Sequence, residues 1–127
     1  MAVVGLGIDS AQISRFQRFV AERKEALLEH LFTVGERDYA ADHGAQAQHL
    51  AACFAAKESF CKALGTGLRG GLSWLDVEVV HDALGKPDLR LAGRAAAIFQ
   101  ERGLSTLHLS LSHDGDYALA VVVVERL

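Results

Sequence analysis

The sequence predicts an α+β domain, and three observations carry that reading. Period-two apolar alternation recurs in the second half, at residues 74–80, 104–112 and 117–125, and a short apolar strand pattern opens the chain. Helical patterns lie between these segments with no regular βαβ repeat, which favours α+β over a doubly wound parallel sheet. Half of the 127 residues are hydrophobic, and one proline and no low-complexity linker interrupt them, so residues 1–127 read as one domain with a proper core.

The elements follow in order. Residues 2–8 (AVVGLGI) form a short apolar strand bounded by glycine. Ser10 is placed to cap a helix over about 11–22, with Ile13, Phe16 and Val20 on one side and Arg15, Arg18 and Glu22 on another. A short helix fits about 24–31. Thr33 and Glu36 have capping-box spacing and open a helix through Asp42. A long helix spans about 46–64, and Gly65-Thr66-Gly67 stops it. From Ala51 onward it is apolar around much of its circumference, the mark of a buried helix. Residues 74–80 (WLDVEVV) read as a strand, 83–87 as a turn and 88–91 as a second strand. A helix over about 92–102 ends at Gly103. Residues 104–112 are a strand, His113-Asp114-Gly115-Asp116 a hairpin turn, and 117–125 the last strand.

Bulk properties exclude several functions. The formal net charge of −3 argues against a general nucleic-acid binder. No apolar run approaches the roughly 18 residues of a membrane span. No basic leader precedes the first strand, so the expectation is a cytoplasmic, soluble protein. Cys53 and Cys61 stand eight residues apart on one helix, about 12 Å of rise. That exceeds the ~7 Å a disulfide tolerates, and both read as small core residues. His30, His43 and His49 read as surface residues, and His81 and His108 as structural ones. Ser112-His113-Asp114 is no triad, because triad members meet in space rather than in sequence. No spacing supports zinc.

The informative residue is Glu58. It lies on the buried helix with Lys62 four residues on, on the same face. A carboxylate in such a place needs a positive partner, either Lys62 or a metal ion. Asp9 ends the first strand. Two separated carboxylates suit Mg²⁺, which binds through one or two acids plus substrate phosphates. Lys62 would then serve as a point charge for phosphate, and Gly65 and Gly67 would offer backbone amides. The alternative is a cap-like Asp9 and a Glu58–Lys62 pair on a solvated stripe. Arg15, Arg18, Arg23 and Lys24 form a basic group on an acidic chain: either a solvated face or a dock for an acidic partner.

Gly7-Ile8-Asp9, followed by Arg15, resembles a Gly-Ile/Thr-Asp motif with a downstream arginine. Phe54 to Ala63 (FAAKESFCKA) is similar to the motif Trp/Phe-Ala-x-Lys-Glu-Ala/Ser-x-x-Lys-Ala, and Gly65-Thr66-Gly67 follows it. Phe32-Thr33 with Glu36, Leu84-Gly85-Lys86-Pro87 and Leu109-Ser110-Leu111-Ser112-His113 fall in the same order. The chain thus resembles the holo-[acyl-carrier-protein] synthases, the short class of 4′-phosphopantetheinyl transferases, over essentially its whole length.

The resemblance implies a small domain with an antiparallel-type sheet packed on a long buried helix, assembled as a homotrimer with active sites at subunit interfaces. It implies Mg²⁺-dependent transfer of 4′-phosphopantetheine from coenzyme A to a serine of apo acyl carrier protein, releasing adenosine 3′,5′-bisphosphate. Asp9 and Glu58 match the metal ligands, and Lys62 the lysine that meets the pyrophosphate. Gly65, Gly85, Lys86, Pro87 and His113 match positions lining the coenzyme A pocket. Arg15, with Arg18 and Arg23 beside it, matches the surface that docks the acidic carrier protein. Lys57 matches a motif position of unassigned contact. The base that takes the serine proton stays open among Glu58, Lys62 and a metal-bound water. Ser10 and Gln12 depart from the pattern, which usually has an aliphatic residue and an acid there, and Glu22 dilutes the basic face. Two rival readings remain: a coenzyme A or carrier-protein binding module without turnover, and a structural domain whose polar residues are helix pairs.

Overall fold

The computed structural model describes residues 1–66 and 70–127. Strand β1 (Ala2–Gln12) leads into helices α1 (Ile13–Ala21), α2 (Glu25–Leu31), α3 (Val34–Asp42) and α4 (Gln46–Leu64). A 3₁₀ turn (Trp74–Asp76) precedes β2 (Val77–His81) and β3 (Pro87–Leu91), then α5 (Gly93–Glu101), β4 (Thr106–Asp114) and β5 (Tyr117–Arg126). The strands make two antiparallel sheets, β1-β5-β4 and β2-β3. The α+β expectation holds, with helix α4 at the centre of the core.

Helix α4 is buried because most of its side chains are apolar: Leu50, Ala51, Phe54, Ala55, Ala56, Phe60 and Leu64 are all in the core. Its Cys53 and Cys61 are buried free thiols. Burial pushes the Cys61 pKa up to about 11 and that of Cys53 higher still, so both are inert core residues. Against α4 lies one face of the three-stranded sheet, made by Gly7 and Ala11 of β1 and Ala118, Ala120, Val122 and Val124 of β5.

Two glycines set the spacing. A Cβ on Gly7 would lie 1.8 Å from the Ser59 carbonyl oxygen, and one on Gly5 would lie 2.1 Å from that of Ala63. Backbone therefore meets backbone where β1 crosses α4, and Asp9, two residues past Gly7, arrives beside the same helix. Ser59 Oγ donates to Ala120 O at 3.1 Å and ties the helix to β5.

Two expected boundaries move for non-local reasons. The first strand was expected to end at residue 8; it runs to Gln12, because β5 offers partners down to Tyr117. Ser10 is consequently a strand residue and caps nothing. Helix α1 is capped from across the chain: Asp116, in the β4–β5 turn, accepts from Ser14 N (2.9 Å) and Ser14 Oγ (2.6 Å), and its carbonyl accepts from Ile13 N (2.7 Å). Residues 74–76, expected as strand, form the 3₁₀ turn instead.

Buried Lys57 accounts for that turn. Its ammonium donates to Trp74 O (2.8 Å) and Val77 O (2.6 Å) and pairs with Glu36 Oε1 at 2.7 Å. Glu36, 2% exposed, also accepts from Thr33 N and Val79 N, the former in the predicted capping box. Three donors meet three acceptors, which is what a buried charge requires. The pair joins α3, α4 and β2.

Candidate active site

The β1–α4 crossing assembles Asp9, Glu58 and Lys62. Lys62 Nζ lies 3.3 Å from Asp9 Oδ1 and 3.2 Å from Ile8 O. The anticipated Glu58–Lys62 face exists, but the ion pair at hydrogen-bonding distance runs from Lys62 to Asp9. Asp9 Oδ1 also accepts from Ser10 N, whereas Asp9 Oδ2 is buried with no hydrogen-bond partner among the described residues.

Glu58 faces Asp9, and its pKa is pushed up to about 7. Burial is the main cause, followed by the hydrogen bond and charge of Asp9; Lys62 and Arg15 act in the opposite direction. Two carboxyl groups that repel one another, one with an orphaned buried oxygen, form a site that a divalent cation would relieve. A hard, oxygen-preferring ion that keeps several waters needs only these two acids. Among the described residues no group of three or more His, Cys, Asp or Glu side chains is placed to share a metal.

Gly65 closes α4 in the left-handed conformation (φ +78°). Its N–H is donated to Cys61 O and Lys62 O, both at 3.0 Å, so it supplies a turn rather than the free amide expected of it. Gly67 lies outside the described residues.

Gly85, Pro87 and His113 line one open cleft. Asp82 Oδ1 shapes the β2–β3 turn by accepting from Leu84 N and Lys86 N, and Gly85 sits there at φ +85°. His113 belongs to strand β4, paired with Ala118. Lys86 does not join this cleft; it borders a smaller one with Asp88 and His108. Tyr39, His49 and His81 share the wall with Gly85 and Pro87, which no local pattern indicates. Three elements supply them, and no motif spacing connects the three.

The arginines divide. The Arg15 guanidinium lies 5.3 Å from the ring centres of Phe16 and Phe54, one turn before Glu58. Arg18 is exposed on the same helix, and Arg23 is in the turn after it, at φ +53°.

A profile of the 4′-phosphopantetheinyl transferase superfamily matches residues 5–122. The holo-[acyl-carrier-protein] synthase of Geobacter metallireducens is 55% identical over 125 residues, covering 98% of this chain and 99% of the relative. The crystal structure of holo-[acyl-carrier-protein] synthase from Neisseria meningitidis superposes with a TM-score of 0.89 at 35% identity, over 98% of this chain and all of that one. The Helicobacter pylori synthase, solved in complex with coenzyme A, superposes with a TM-score of 0.81 at 32% identity, over 94% and 99% of the two chains. The chain belongs to the holo-[acyl-carrier-protein] synthase family of 4′-phosphopantetheinyl transferases. It is accordingly a transferase enzyme, as the motifs implied.

Proposed function

We propose that the chain moves 4′-phosphopantetheine from coenzyme A to a serine hydroxyl of apo acyl carrier protein, with Mg²⁺, and releases adenosine 3′,5′-bisphosphate. The observation that carries this is the facing pair Asp9 and Glu58 beside Lys62, in a chain of this family. The serine oxygen attacks the β-phosphorus of the pyrophosphate, and the hydroxyl proton it loses passes to solvent. The bond from that phosphorus to the bridging oxygen breaks, and the bridging oxygen leaves with the nucleotide.

Asp9 and Glu58 would hold the cation, which when bound neutralises charge on the phosphates. Lys62, with an exposed side chain on the rim, meets the pyrophosphate as a point charge and steadies the leaving group. Gly65 turns the chain away so that the rim stays open. The cleft lined by Gly85, Pro87 and His113 receives the nucleotide. Arg15, Arg18 and Arg23 face the acidic carrier protein. Arg15 also stands close enough to Glu58 to couple docking to the site.

The active assembly in this reading is a homotrimer with each site at a subunit interface. The support is the outer face of the β1-β5-β4 sheet. Leu6 (64% exposed) and Ile8 (60%) stand there beside half-buried Leu119, Val121 and Val123, in cross-strand register. A small domain gains by covering such a face with copies of itself. The enzyme works in the cytoplasm in this reading, in keeping with two unpaired thiols and no described helix long and apolar enough to cross a membrane.

The test is the intact mass of apo acyl carrier protein after incubation with the protein, coenzyme A and Mg²⁺. The expected result is a gain of one phosphopantetheine, abolished by EDTA. No gain with several carrier proteins would overturn the proposal.

A further inference from the structure

Helix α1 carries Arg15 and Arg18, yet its own sequence does little to start it. At nine residues it is shorter than the roughly 12–15 a helix needs to persist alone in water, so its first turn depends on its surroundings. Gln12, at the N-cap, supplies no side-chain hydrogen bond, and the first turn contains no acid. Asp116 supplies both from the β4–β5 turn. Its carboxylate accepts from Ser14 N at 2.9 Å and from Ser14 Oγ at 2.6 Å, and its carbonyl accepts from Ile13 N at 2.7 Å. One distant residue thus satisfies two main-chain donors that the helix leaves open, and it sets a carboxylate at the positive end of the helix.

Next to the capped serine stands Arg15. Its guanidinium lies 5.3 Å from the ring centre of Phe16, 5.8 Å from that of Phe19 and 5.3 Å from that of Phe54. Two of those rings belong to α1 and one to α4, and Phe16 packs on Phe54 with centroids 5.6 Å apart. Such contacts hold a cation by distance and not by a directed bond, so the place of Arg15 follows from how α1 is wound and seated on α4. Buried Ile13 and Phe16 seat the helix. Asp116 keeps its first turn wound, and with it the direction of Arg15.

Of the three arginines assigned to the docking face, Arg15 is the one in the first turn; Arg18 lies in the last turn and Arg23 beyond it. We propose that Asp116 is a positioning residue for carrier-protein recognition, aiming Arg15 at the acidic partner by capping α1. This rests on the carrier-protein reading above. Asp116 is given no contact with substrate or cation and acts through the helix alone. Loss of its carboxylate leaves the Ile13 bond to its carbonyl in place, so α1 should fray at its first turn and stay attached.

The test is steady-state transfer to apo acyl carrier protein, with carrier protein and coenzyme A varied in turn. Losing a helix cap corresponds to about 5-fold in an equilibrium, so Asp116→Ala should raise KM for the carrier protein about 5-fold. Its kcat and its KM for coenzyme A should stay near wild type. Asp116→Asn, whose amide oxygen still accepts from Ser14 N, should restore most of the affinity. In an Arg15→Ala background, Asp116→Ala should add little to the carrier-protein KM, because the residue it positions is gone. General loosening of the fold would raise both KM values or lower kcat, and would keep its full effect in that background. Any of those results, or an Asp116→Ala variant equal to wild type, overturns the positioning role while leaving the transferase intact. If Asp116→Ala melts too low to assay, Ser14→Ala deletes only the 2.6 Å bond and should show the same split at smaller size. Equality of Ser14→Ala with wild type then overturns the role likewise. A wild type that modifies no carrier protein overturns the transferase reading and the role of Asp116 with it.

Discussion

Glu58 shows how one residue can be costly to the fold and useful to the site. Its pKa of about 7 stands above the ordinary 4.5, so the folded state holds a proton that the unfolded chain has lost between those values. Stability from this group is complete below about pH 4.5 and declines as pH rises through about 7. Glu58→Gln should therefore raise the metal-free Tm above neutral pH. The expected rise is about 2–4 °C, small because so exposed a group is partly screened. Thermal melts in EDTA against pH check this; a variant that melts lower at pH 8 would show that the repulsion is not there. Asp9→Ala and Glu58→Ala should stay folded and lose transfer in the mass assay. Lys57 is the contrasting case. The sequence motif marked it without a partner, and the structure gives it Glu36 and two carbonyls at full burial. Lys57→Met should cost about 3–5 kcal/mol by stranding the Glu36 charge, and Lys57→Met with Glu36→Gln should recover part of that. Urea unfolding of both variants, showing equal losses, would contradict the ion-pair account. The partner was illegible because pairing of residues 36 and 57 depends on how α3 meets α4, which neither periodicity nor spacing encodes.

At the scale of elements, the site depends on how closely a strand can approach a helix. Gly5 and Gly7 place β1 against the α4 backbone, and only that approach lets an acid on the strand face an acid on the helix. Gly7→Ala should destabilise by about 3 kcal/mol or more, because a methyl group would have to displace main chain rather than a side chain. It should also lower transfer in whatever fraction folds, by separating Asp9 from Glu58; a neutral Gly7→Ala in both assays would contradict this reading. The helices were legible to within a residue or two, since amphipathic spacing, the Thr33–Glu36 capping box and the Gly65 stop are local signals. The cap of α1 was not, because Asp116, which supplies it, is 102 residues from Ser14. The length of β1 was likewise decided by its neighbour β5. Local patterns announce elements; partners elsewhere in the chain decide where they end.

At the scale of the whole molecule, the main question is the uncovered sheet face. Alternation along β1 and β5 was readable from the sequence, but which set of side chains faced α4 was not. Gly7, Ala11, Ala118 and Ala120, with Val122 and Val124, took that face, leaving Leu6, Ile8 and Val121 outward. The protein should accordingly be trimeric by light scattering, and Leu6→Glu with Val123→Glu, a cross-strand pair on that face, should yield monomers with reduced transfer. A monomeric wild type at micromolar concentration would contradict the assembly. The carboxylate pair and Lys62 were legible as residues, and the resemblance ordered them. Their mutual geometry, and the aromatic wall of the neighbouring cleft, came only with tertiary structure.

In the proposed reaction Asp9 and Glu58 together hold the cation. Anomalous scattering from crystals grown with coenzyme A and Mn²⁺ tests it most directly. A peak is expected about 2 Å from one oxygen of each carboxylate, the distance for an ion of this kind. Ordered coenzyme A with the peak elsewhere, or with none, would contradict it.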